Sequence, residues 1–447
     1  MQKVILRDRR RIVPFMEVAR DLRILNKPLW LYQRDVLARH CTGEVVADSI
    51  DEIPRDSEPL LVYRDSLFFN PPLMDEFVRR ATASGVACQV AFSPDDAAVV
   101  HHMTNLHDGL KLEDGLWRGE LWYYPRGWEP DATPIVIDTE PMELGYYQVP
   151  HSIVENGNFV YHVPLKAFIP IESWVAVMLT NSLFGVLGWA RRLLKESNSL
   201  RVKLNILSRV VLERKHPLSC SAVVRIGRNC KIDPGVIIQG PTIIGNNVTI
   251  GAGSLIVSSV IGDNVNIMQG AQIVLSMVSN GCYIPFRAAL YGTSFMENTM
   301  VAQNTVLQGC VVGRNTFIGG GNTFTDYNLM GQPIRTMHRG RLEPVGMAAC
   351  GCAVGHDCRI GAGFVFYPGR TVESGTILIY RGDQAVIDHN VTADMNGQDP
   401  RIRRLYTADN LVINEDIGSG PQDLATPTAA ELEKRGEVWQ APTMAKF

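Results

Sequence analysis

Apolar residues return every six positions through the second half of the chain, from about residue 224 to residue 380. The regular positions are Ile226, Ile232, Ile238, Ile244, Ile250 and Ile256, then Ile261, Ile267 and Ile273 after a one-residue slip, then Met300, Val306, Val312, Ile318 and Phe324, and lastly Val354, Ile360, Phe366, Val372 and Leu378. A period of six fits neither an α-helix nor an amphipathic strand. It is typical of a solenoid in which three six-residue faces form one triangular coil of parallel strands. The span predicts roughly seven coils of about 18 residues.

A short polar motif recurs at the corners of the predicted coils. It consists of Gly, a polar residue, Asn or Asp, and a small or β-branched residue. The copies are Gly227–Cys230, Gly245–Val248, Gly262–Val265, Gly313–Thr316 and Gly355–Cys358. Gly and Asn accept a left-handed backbone conformation at low cost, which a tight corner repeated in every coil requires. Period and motif together predict a parallel β-helix of hexapeptide repeats.

The first 165 or so residues alternate strand-like and helix-like stretches. The predicted strands are Lys3–Leu6, Pro59–Tyr63, Ala87–Phe92 and Pro134–Asp138, and the predicted helices are Leu29–Ala38 and Leu73–Ala83. Strands separated by helices predict a largely parallel α/β sheet. The aromatic-rich stretch Leu121–Trp128 either lines a cleft or belongs to the core or a loop.

These patterns divide the chain into four parts. They are an α/β domain over residues 1–170, a linker helix region over 171–215, the β-helix over 216–388, and an extended C-terminal tail over 389–447. One short helix is predicted in the tail, near Ala429 to Arg435. Inside the β-helix, residues 326–346 interrupt the period and predict a loop extruded from one corner.

Composition and charge exclude several classes of protein. A net charge of −3 gives no general attraction to nucleic acid. The short apolar stretch at the N-terminus is not a secretory signal, so free thiols and a cytoplasmic location are expected. The cysteines of the repeat occupy a slot for small, half-buried side chains, which favours packing over disulfides or metal binding.

Trp174–Ala190 is too short and polar for a transmembrane span, so it is either a buried or interface helix or a peripheral membrane contact.

An α/β front, a linker helix and a hexapeptide solenoid together resemble the two-domain sugar-1-phosphate nucleotidylyltransferases with a hexapeptide acyltransferase domain, such as those that make UDP-N-acetylglucosamine from glucosamine-1-phosphate. The similar stretches are Ile238–Gly245, Gly351–Gly355, Gly361–Gly369, Asn26–Leu29, Leu61–Asp65 and Glu172–Asn181. The resemblance covers the chain to about residue 390. It implies a degenerate nucleotidyltransferase-like domain followed by a left-handed β-helix, a homotrimer, and a nucleotide sugar or sugar phosphate as ligand. The cofactors it implies are Mg²⁺ and acetyl-CoA.

The nucleotidyl-transfer motifs depart from that family. The reaction needs backbone amides around phosphates, a basic side chain, and carboxylates on Mg²⁺. The family's Gly-rich loop is replaced by Arg7–Arg11, and the first glycine of the chain is Gly43. Lys27 and Asp65 are the remaining candidate catalytic residues, with Asp65 also the candidate metal ligand. The alternative is that Lys27 and Asp65 are ordinary charged side chains on the surface without a catalytic role.

The acetyl-transfer motifs are altered as well. That reaction needs a base for the amine proton and an oxyanion partner. Gln303 stands at the family's histidine and Val306 at its tyrosine. Asn328, Arg335 and Arg339 match substrate-binding residues, and Gln303 is predicted to bind substrate with them. His338 is a candidate substitute base, and the basic loop that carries it either contacts a phosphate or carboxylate or is a solvated excursion.

Two functions follow from these observations. The first is a sugar-nucleotide transferase-like protein that binds a phosphorylated sugar or nucleotide sugar with reduced or altered catalysis. The second is a non-catalytic trimeric scaffold or ligand sensor on the same fold. A γ-class carbonic anhydrase would need three histidines on zinc, and the regular coils offer only His356.

Overall fold

The computed structural model describes residues 1–55, 58–148, 158–197, 200–380, 384–396 and 398–405. The chain divides into two compact units, Met1–Arg403 and Arg404–Phe447. Of the second unit, only Arg404 and Leu405 are described. The helix predicted near Ala429 to Arg435 lies outside the described residues.

The N-terminal part contains a seven-stranded sheet. Its strands are β1 (Gln2–Leu6), β2 (Gly43–Ala47), β3 (Leu60–Arg64), β4 (Cys88–Phe92), β5 (Leu110–Glu113), β6 (Leu116–Tyr124) and β7 (Thr133–Val136). The order across the sheet is β7-β4-β6-β3-β1-β2, with β5 paired to β6. The pairs β1–β2, β1–β3 and β4–β7 are parallel, although β2 itself was not predicted from the sequence. The sheet is nevertheless mixed, because β6 runs antiparallel to β3 and β4.

The aromatic-rich stretch forms the second half of β6 and the turn after it. Leu121, Tyr123 and Tyr124 are buried. Of the roles that the sequence left open for this stretch, the core role is therefore the one found for these three side chains.

Three helices accompany this sheet: α1 (Leu29–Leu37), α2 (Pro71–Ser84) and α3 (Ala97–His102). α2 begins where the Asn70 side chain accepts a hydrogen bond from the Leu73 N–H, and it ends at Gly85 in the left-handed conformation (φ 69°). Its buried residues are Leu73, Met74, Phe77, Val78 and Ala81, which lie three or four positions apart. This spacing turns one face of α2 toward the core.

Several short elements complete the N-terminal part and its connections. The antiparallel pairs are Arg11–Ile12 with Glu17–Val18, Arg23–Ile24 with Lys27–Pro28, Leu67–Phe69 with Phe168–Pro170, and Met142–Gln148 with Asn158–Val163. The 3-10 turns are Ala19–Asp21, Ile50–Glu52, Pro217–Ser219 and Ala393–Met395.

The linker region is helical and mostly buried at its start. It consists of α4 (Trp174–Leu179), a π-helical stretch (Thr180–Leu187), α5 (Gly188–Ser197) and α6 (Leu200–Glu213). Trp174 is fully buried, and the polar Asn181 is buried with its amide paired to the backbone of Arg23 and Leu25. The start of the segment is thus a buried helix, and no described helix combines the length and apolar character needed to cross a membrane.

The second half forms three long parallel sheets. The first face contains Val224–Ile226, Thr242–Ile244, Val260–Ile261, Met277–Val278, Ser294–Phe295, Val311–Val312, Ala353–Val354 and Thr371–Val372. The second contains Lys231–Ile232, Thr249–Ile250, Asn266–Ile267, Tyr283–Ile284, Met300–Val301, Phe317–Ile318, Arg359–Ile360, Thr376–Leu378 and Ile402–Arg404. The third contains Ile237–Gln239, Leu255–Val257, Gln272–Val274, Ala289–Tyr291, Val306–Gln308, Thr323–Phe324, Val365–Phe366 and Val386–Ile387. A parallel β-helix is therefore present, and its last turn extends beyond residue 380, one turn more than the predicted seven.

Most predicted inward positions are buried in one apolar column, with two corrections. Val301 and Leu307 are fully buried, whereas Met300 is exposed and Val306 is half-buried. The inward register is one residue later than predicted on these two faces, because a five-residue step leads from Leu307 to Val312. At the open end, Ile226 and Ile232 are exposed since no coil precedes theirs.

The predicted corner motif has the predicted backbone. Its third residues are in the left-handed conformation, with φ between 54° and 57°, at Asn229, Asn247, Asn264, Asn315 and Asp357. Their side chains also join successive coils. The Asn247 amide donates to Asn264 at 3.1 Å, and the Asn315 amide donates to Asp357 at 3.1 Å. Corner residues thus stabilise both the turn and the stacking of coils.

The interruption of the period is a folded excursion that packs on the N-terminal part. It contains the antiparallel hairpin Arg335–His338 with Arg341–Pro344. Ile334 and Val345, on either side of the hairpin, are buried in the same apolar cluster as α1 and α2. The Trp174 indole N–H donates to the Thr336 hydroxyl at 2.8 Å. The hairpin therefore packs through Ile334, Thr336 and Val345, while Arg335, Arg339 and Arg341 remain exposed.

Candidate functional site

The carboxyl ends of β1 and β3 are adjacent at the centre of the N-terminal sheet. From β1 the chain continues through α1 to β2 on one side, and from β3 it continues through α2 to β4 on the other side. Ligands of open α/β sheets bind in the crevice outside the carboxyl ends where the strand order reverses in this way. Asp8 follows β1 and Asp65 follows β3, so both lie at this position.

Asp65, the predicted catalytic or metal-binding carboxylate, is almost fully buried. Its Oδ1 accepts a hydrogen bond from the Asp8 N–H at 2.7 Å. Its Oδ2 accepts none, and the guanidinium of Arg20 lies 3.6 Å from it. Burial raises the pKa of Asp65 to about 6. A buried carboxylate oxygen without a hydrogen-bond donor is uncommon in a folded protein, and the nearest positive charge to this one is the Arg20 guanidinium.

Asp8 is paired within the chain. Its carboxylate accepts hydrogen bonds from the Arg10 Nε–H at 2.8 Å and from the Ser66 hydroxyl at 3.0 Å. Burial alone would raise the pKa of Asp8, but the hydrogen bonds and charge of Arg10 outweigh burial and hold this pKa below its usual value. Asp8 therefore carries its negative charge permanently and fixes Arg10 in place.

Arg10 connects this edge of the sheet to the excursion from the β-helix. Its Nη1 lies 2.7 Å from Glu172 Oε2, and the same oxygen accepts from the Arg339 Nη2–H at 2.5 Å. Arg339 also pairs with Asp108. Two arginines thus compensate the buried Glu172 inside the chain, and contact of the basic loop with a phosphate or carboxylate of a ligand stays a prediction.

A metal ion does not fit these residues as they are arranged. Arg10 and Ser66 already occupy the Asp8 carboxylate, and one oxygen of Asp65 is taken by a backbone N–H. Within the described ranges, no group of three or more His, Cys, Asp or Glu side chains is close enough to hold a metal. Arginine guanidinium groups supply positive charge beside these carboxylates.

Lys27 lies in the short antiparallel pair that directly precedes α1. Its Nζ is 2.5 Å from Asp35 Oδ2. The hairpin that carries Lys27 contacts the β-helix. The Asn26 side chain donates to Asn280 at 3.0 Å, and Arg23 pairs with Glu297. Asn26 and Arg23 thus make the contact with the β-helix, Lys27 pairs with Asp35 of α1, and the catalytic role of Lys27 stays a prediction.

His338, the candidate base, is buried in the excursion hairpin. Its Nδ1 lies 3.0 Å from Glu343 Oε2, and its Nε2 is buried without a hydrogen-bond partner. His338 directly precedes the Arg339 that pairs with Glu172, and its role as a base stays a prediction.

The remaining predicted binding residues lie apart from this region on the surface. Gln303 is exposed at a corner of the β-helix, where its carbonyl accepts from the Gly321 N–H at 3.0 Å. Asn328 is half-buried and holds its own loop through hydrogen bonds to the backbone of Met330 and Gln332. Arg335 is exposed at the start of the hairpin. Their role as substrate-binding residues stays a prediction.

Sequence reasoning missed the partners of Asp65. Arg20 lies on a 3-10 turn that no periodic pattern marks. Arg10 was visible only as part of an arginine-rich stretch, and Glu172 only as part of the linker. A charged residue directly after a buried strand is a usable signal, and it would have identified Asp8 as readily as Asp65.

Comparison with known proteins supports the repeat assignment. Residues 224–257 match the bacterial transferase hexapeptide (six repeats) family. Among curated proteins, the bifunctional protein GlmU of Baumannia cicadellinicola subsp. Homalodisca coagulata is 29% identical over 157 residues, which are 34% of this chain and 34% of that protein. The aligned region thus spans about a third of the length of this relative. Among solved structures, the UDP-N-acetylglucosamine acyltransferase from Campylobacter jejuni aligns at 16% identity over 35% of this chain and 67% of that chain, with a TM-score of 0.24.

Proposed function

We propose that this chain is a sugar-nucleotide transferase-like protein that binds a phosphorylated sugar or a nucleotide sugar at the carboxyl edge of its N-terminal sheet. The observation that carries the proposal is the buried Asp65 carboxylate, whose Oδ2 has no donor at the point where the strand order reverses. The hexapeptide repeats and the similarity to a bifunctional transferase support the same class of ligand.

The residues around Asp65 suit a ligand with both a phosphate and hydroxyl groups. Arg7, Arg9 and Arg11 are exposed in the segment after β1, and Arg20 stands beside Asp65. Guanidinium groups bind phosphate oxygens through paired, charge-assisted hydrogen bonds. In this proposal a sugar hydroxyl donates to Oδ2 of Asp65, which lacks a hydrogen-bond donor, and the carboxylate is mostly ionised at neutral pH because its pKa is about 6.

The same arrangement supports reduced or altered catalysis. Arg10 lies between Asp8 and Glu172, and its fixed positive charge compensates carboxylates that could otherwise bind a cation. In the β-helix, Gln303 cannot take a proton from an amine at neutral pH. The proposed protein therefore binds its ligand through arginines and a carboxylate, without the metal chemistry of a full nucleotidyltransferase.

Arg20→Ala is expected to raise the Kd for a sugar phosphate by about tenfold or more, because a charge-assisted hydrogen bond is lost. Calorimetric titration with glucosamine-1-phosphate, UDP-N-acetylglucosamine, UTP and acetyl-CoA measures this, and mass spectrometry of the mixtures detects any product. Arg20→Lys keeps the charge and should lose less affinity. Arg39→Ala is the matched control, because it removes an equally charged, exposed side chain that pairs with Asp75. It should leave the Kd for the sugar phosphate unchanged.

The outcomes separate the possible functions. Binding with product formation supports an enzyme, and binding without product supports a ligand sensor. If Arg20→Ala and Arg39→Ala change the Kd equally, the ligand binds away from the carboxyl edge of the N-terminal sheet. If titration with each of the four compounds gives no heat of binding, the result contradicts the proposal and favours a scaffold.

The alternative function is a non-catalytic trimeric scaffold or ligand sensor. It is favoured by the internal pairing of Arg10 and Arg339, which satisfies charges that a catalytic site would leave available. The flat faces of a three-sided prism suit packing around a threefold axis.

Both functions include the predicted trimer. Light scattering during size exclusion should therefore give the mass of three 49.6 kDa chains. The mass should persist on dilution, since an obligate interface of this kind buries a large area. A mass of one chain at all concentrations would contradict the trimer and leave the ligand proposal intact.

A further inference from the structure

Exposed apolar side chains are concentrated around α6 and the first coil of the β-helix. Eight of the 24 large apolar side chains that are exposed in the described residues fall within this short stretch. They are Leu204, Leu207, Val211, Leu212, Leu218, Ile226, Ile232 and Ile237. Leu212 is 78% exposed and Val211 is 67% exposed. Apolar side chains left exposed together on a helix usually mark a binding surface.

The helix presents its apolar side away from the rest of the chain. Leu204, Leu207 and Val211 are three and four positions apart, which places them on one side of a helix. Ile206 and Val210, on a different side of the helix, are half-buried. The exposed stripe is therefore additional to the side that packs, and the fold itself leaves it uncovered.

The same stretch is strongly basic. Residues 200–232 contain eight basic residues and one acidic residue, a net charge of +7 in a chain whose total is −3. The basic residues are Arg201, Lys203, Arg209, Arg214, Lys215, Arg225, Arg228 and Lys231, and the acidic residue is Glu213. Lys203, Arg209, Arg214 and Lys215 have exposed side chains next to the apolar stripe. The surface thus combines apolar contact with positive charge.

We propose that α6 and the first coil bind the surface of a bilayer containing anionic lipid. A basic amphipathic helix lies in the plane of the membrane interface, with its apolar side at the boundary of headgroups and acyl chains. Lys and Arg side chains then extend toward the lipid phosphates. The chain would rest on the membrane through this surface, and the proposal does not depend on the ligand of the N-terminal site.

Charge and apolarity together favour lipid over other occupants. A second copy of the same surface would bring two strongly positive patches together, which like-charge repulsion opposes. A nucleic acid would satisfy the positive charge but leave the apolar stripe in water. An anionic bilayer satisfies both properties of the surface.

Co-flotation of the full chain with vesicles tests the proposal. We expect binding to equimolar phosphatidylcholine and phosphatidylglycerol, weaker binding at raised salt, and little binding to phosphatidylcholine alone. Leu207→Glu should reduce vesicle affinity about tenfold or more, because it places a negative charge in the apolar stripe. The matched control is Leu112→Glu, at an exposed leucine of β5, and it should leave binding unchanged.

The double variant Lys203→Gln with Arg209→Gln should weaken binding to the anionic vesicles while the thermal unfolding midpoint stays unchanged. Three results would overturn the proposal: no flotation with either vesicle, equal flotation with both, or equal losses for Leu207→Glu and Leu112→Glu. If Leu207→Glu instead changes the mass measured by light scattering and no vesicle binds, a second copy of the chain occupies this surface.

Discussion

Leu307→Ala is expected to lower the free energy of unfolding by about 2–5 kcal/mol, whereas Val306→Ala should lower it by less than about 1 kcal/mol. Leu307 is fully buried in the apolar column of the β-helix, so truncation leaves a cavity that the stacked coils above and below cannot close. Val306 is the adjacent residue, and its side chain is only half-buried because it points away from that column. Denaturant titration followed by the circular dichroism of the β-sheet measures both changes.

The adjacent pair on the previous face provides an independent check. Val301 is fully buried and Met300 is exposed. Val301→Ala should therefore lower the free energy of unfolding more than Met300→Ala does, although methionine is the larger residue. A greater loss at Met300 and Val306 than at Val301 and Leu307 would mean that the inward register is one residue earlier. The comparison therefore tests the register itself, since all four residues are apolar.

The period of six predicted the β-helix because each coil buries one side chain per face. It predicted the register correctly wherever only one apolar residue was available, as at Ile250 and Ile267. It was wrong at Met300 and Val306, since an apolar residue follows each of them and both registers fill the interior equally well. In the structure, the step between the inward residues Leu307 and Val312 is five residues long instead of six. That choice depends on how one coil stacks on the next, which the local pattern does not contain.

In the N-terminal part the local patterns identified β1, β3, β4 and β7 with α1 and α2, but they missed β2, β5, β6 and α3. They therefore gave no antiparallel strand at the position of β6. Strand direction is decided by pairing between distant segments, here Leu121–Tyr124 against Leu60–Tyr63. The site shows the same limit. Asp65 was predicted from the resemblance of Leu61–Asp65 to a family stretch that carries a metal-binding aspartate. Its relation to Arg20, and the pairing of Arg10 with Glu172, arises only when distant parts of the chain come together.

Charged contacts join the N-terminal part to the β-helix. Glu17 accepts hydrogen bonds from Arg314 at 2.5 Å and from His356 at 3.0 Å. The Arg314 backbone N–H lies 3.0 Å from His356 Nδ1, and Nε2 of the same ring faces Glu17. Ser374, on the next coil, donates its hydroxyl proton toward the backbone carbonyls of residues 14 and 15. One end of the N-terminal part is thus fixed to a corner of the β-helix.

Glu17→Gln is expected to destabilise the chain at neutral pH by up to about 3 kcal/mol and to flatten its acid sensitivity. Burial alone would raise the pKa of Glu17, but the hydrogen bonds and charges of His356 and Arg314 outweigh burial and lower this pKa to about 2. Because the folded pKa lies below the ordinary value of 4.5, the stabilisation is complete above that value and is lost as the pH falls toward 2. Denaturant titrations at several pH values measure the slope.

The matched control for this prediction is Glu129→Gln, at an exposed glutamate of the N-terminal part. It should leave both the stability at neutral pH and the acid slope close to those of the unaltered chain. In Glu17→Gln, the difference from the unaltered chain should shrink steadily between about pH 5 and pH 2, because protonated glutamic acid and glutamine are both neutral. A difference that stays constant over this range would show that the amide disturbs packing and that the Glu17 carboxylate has no charge-dependent role in joining the two parts.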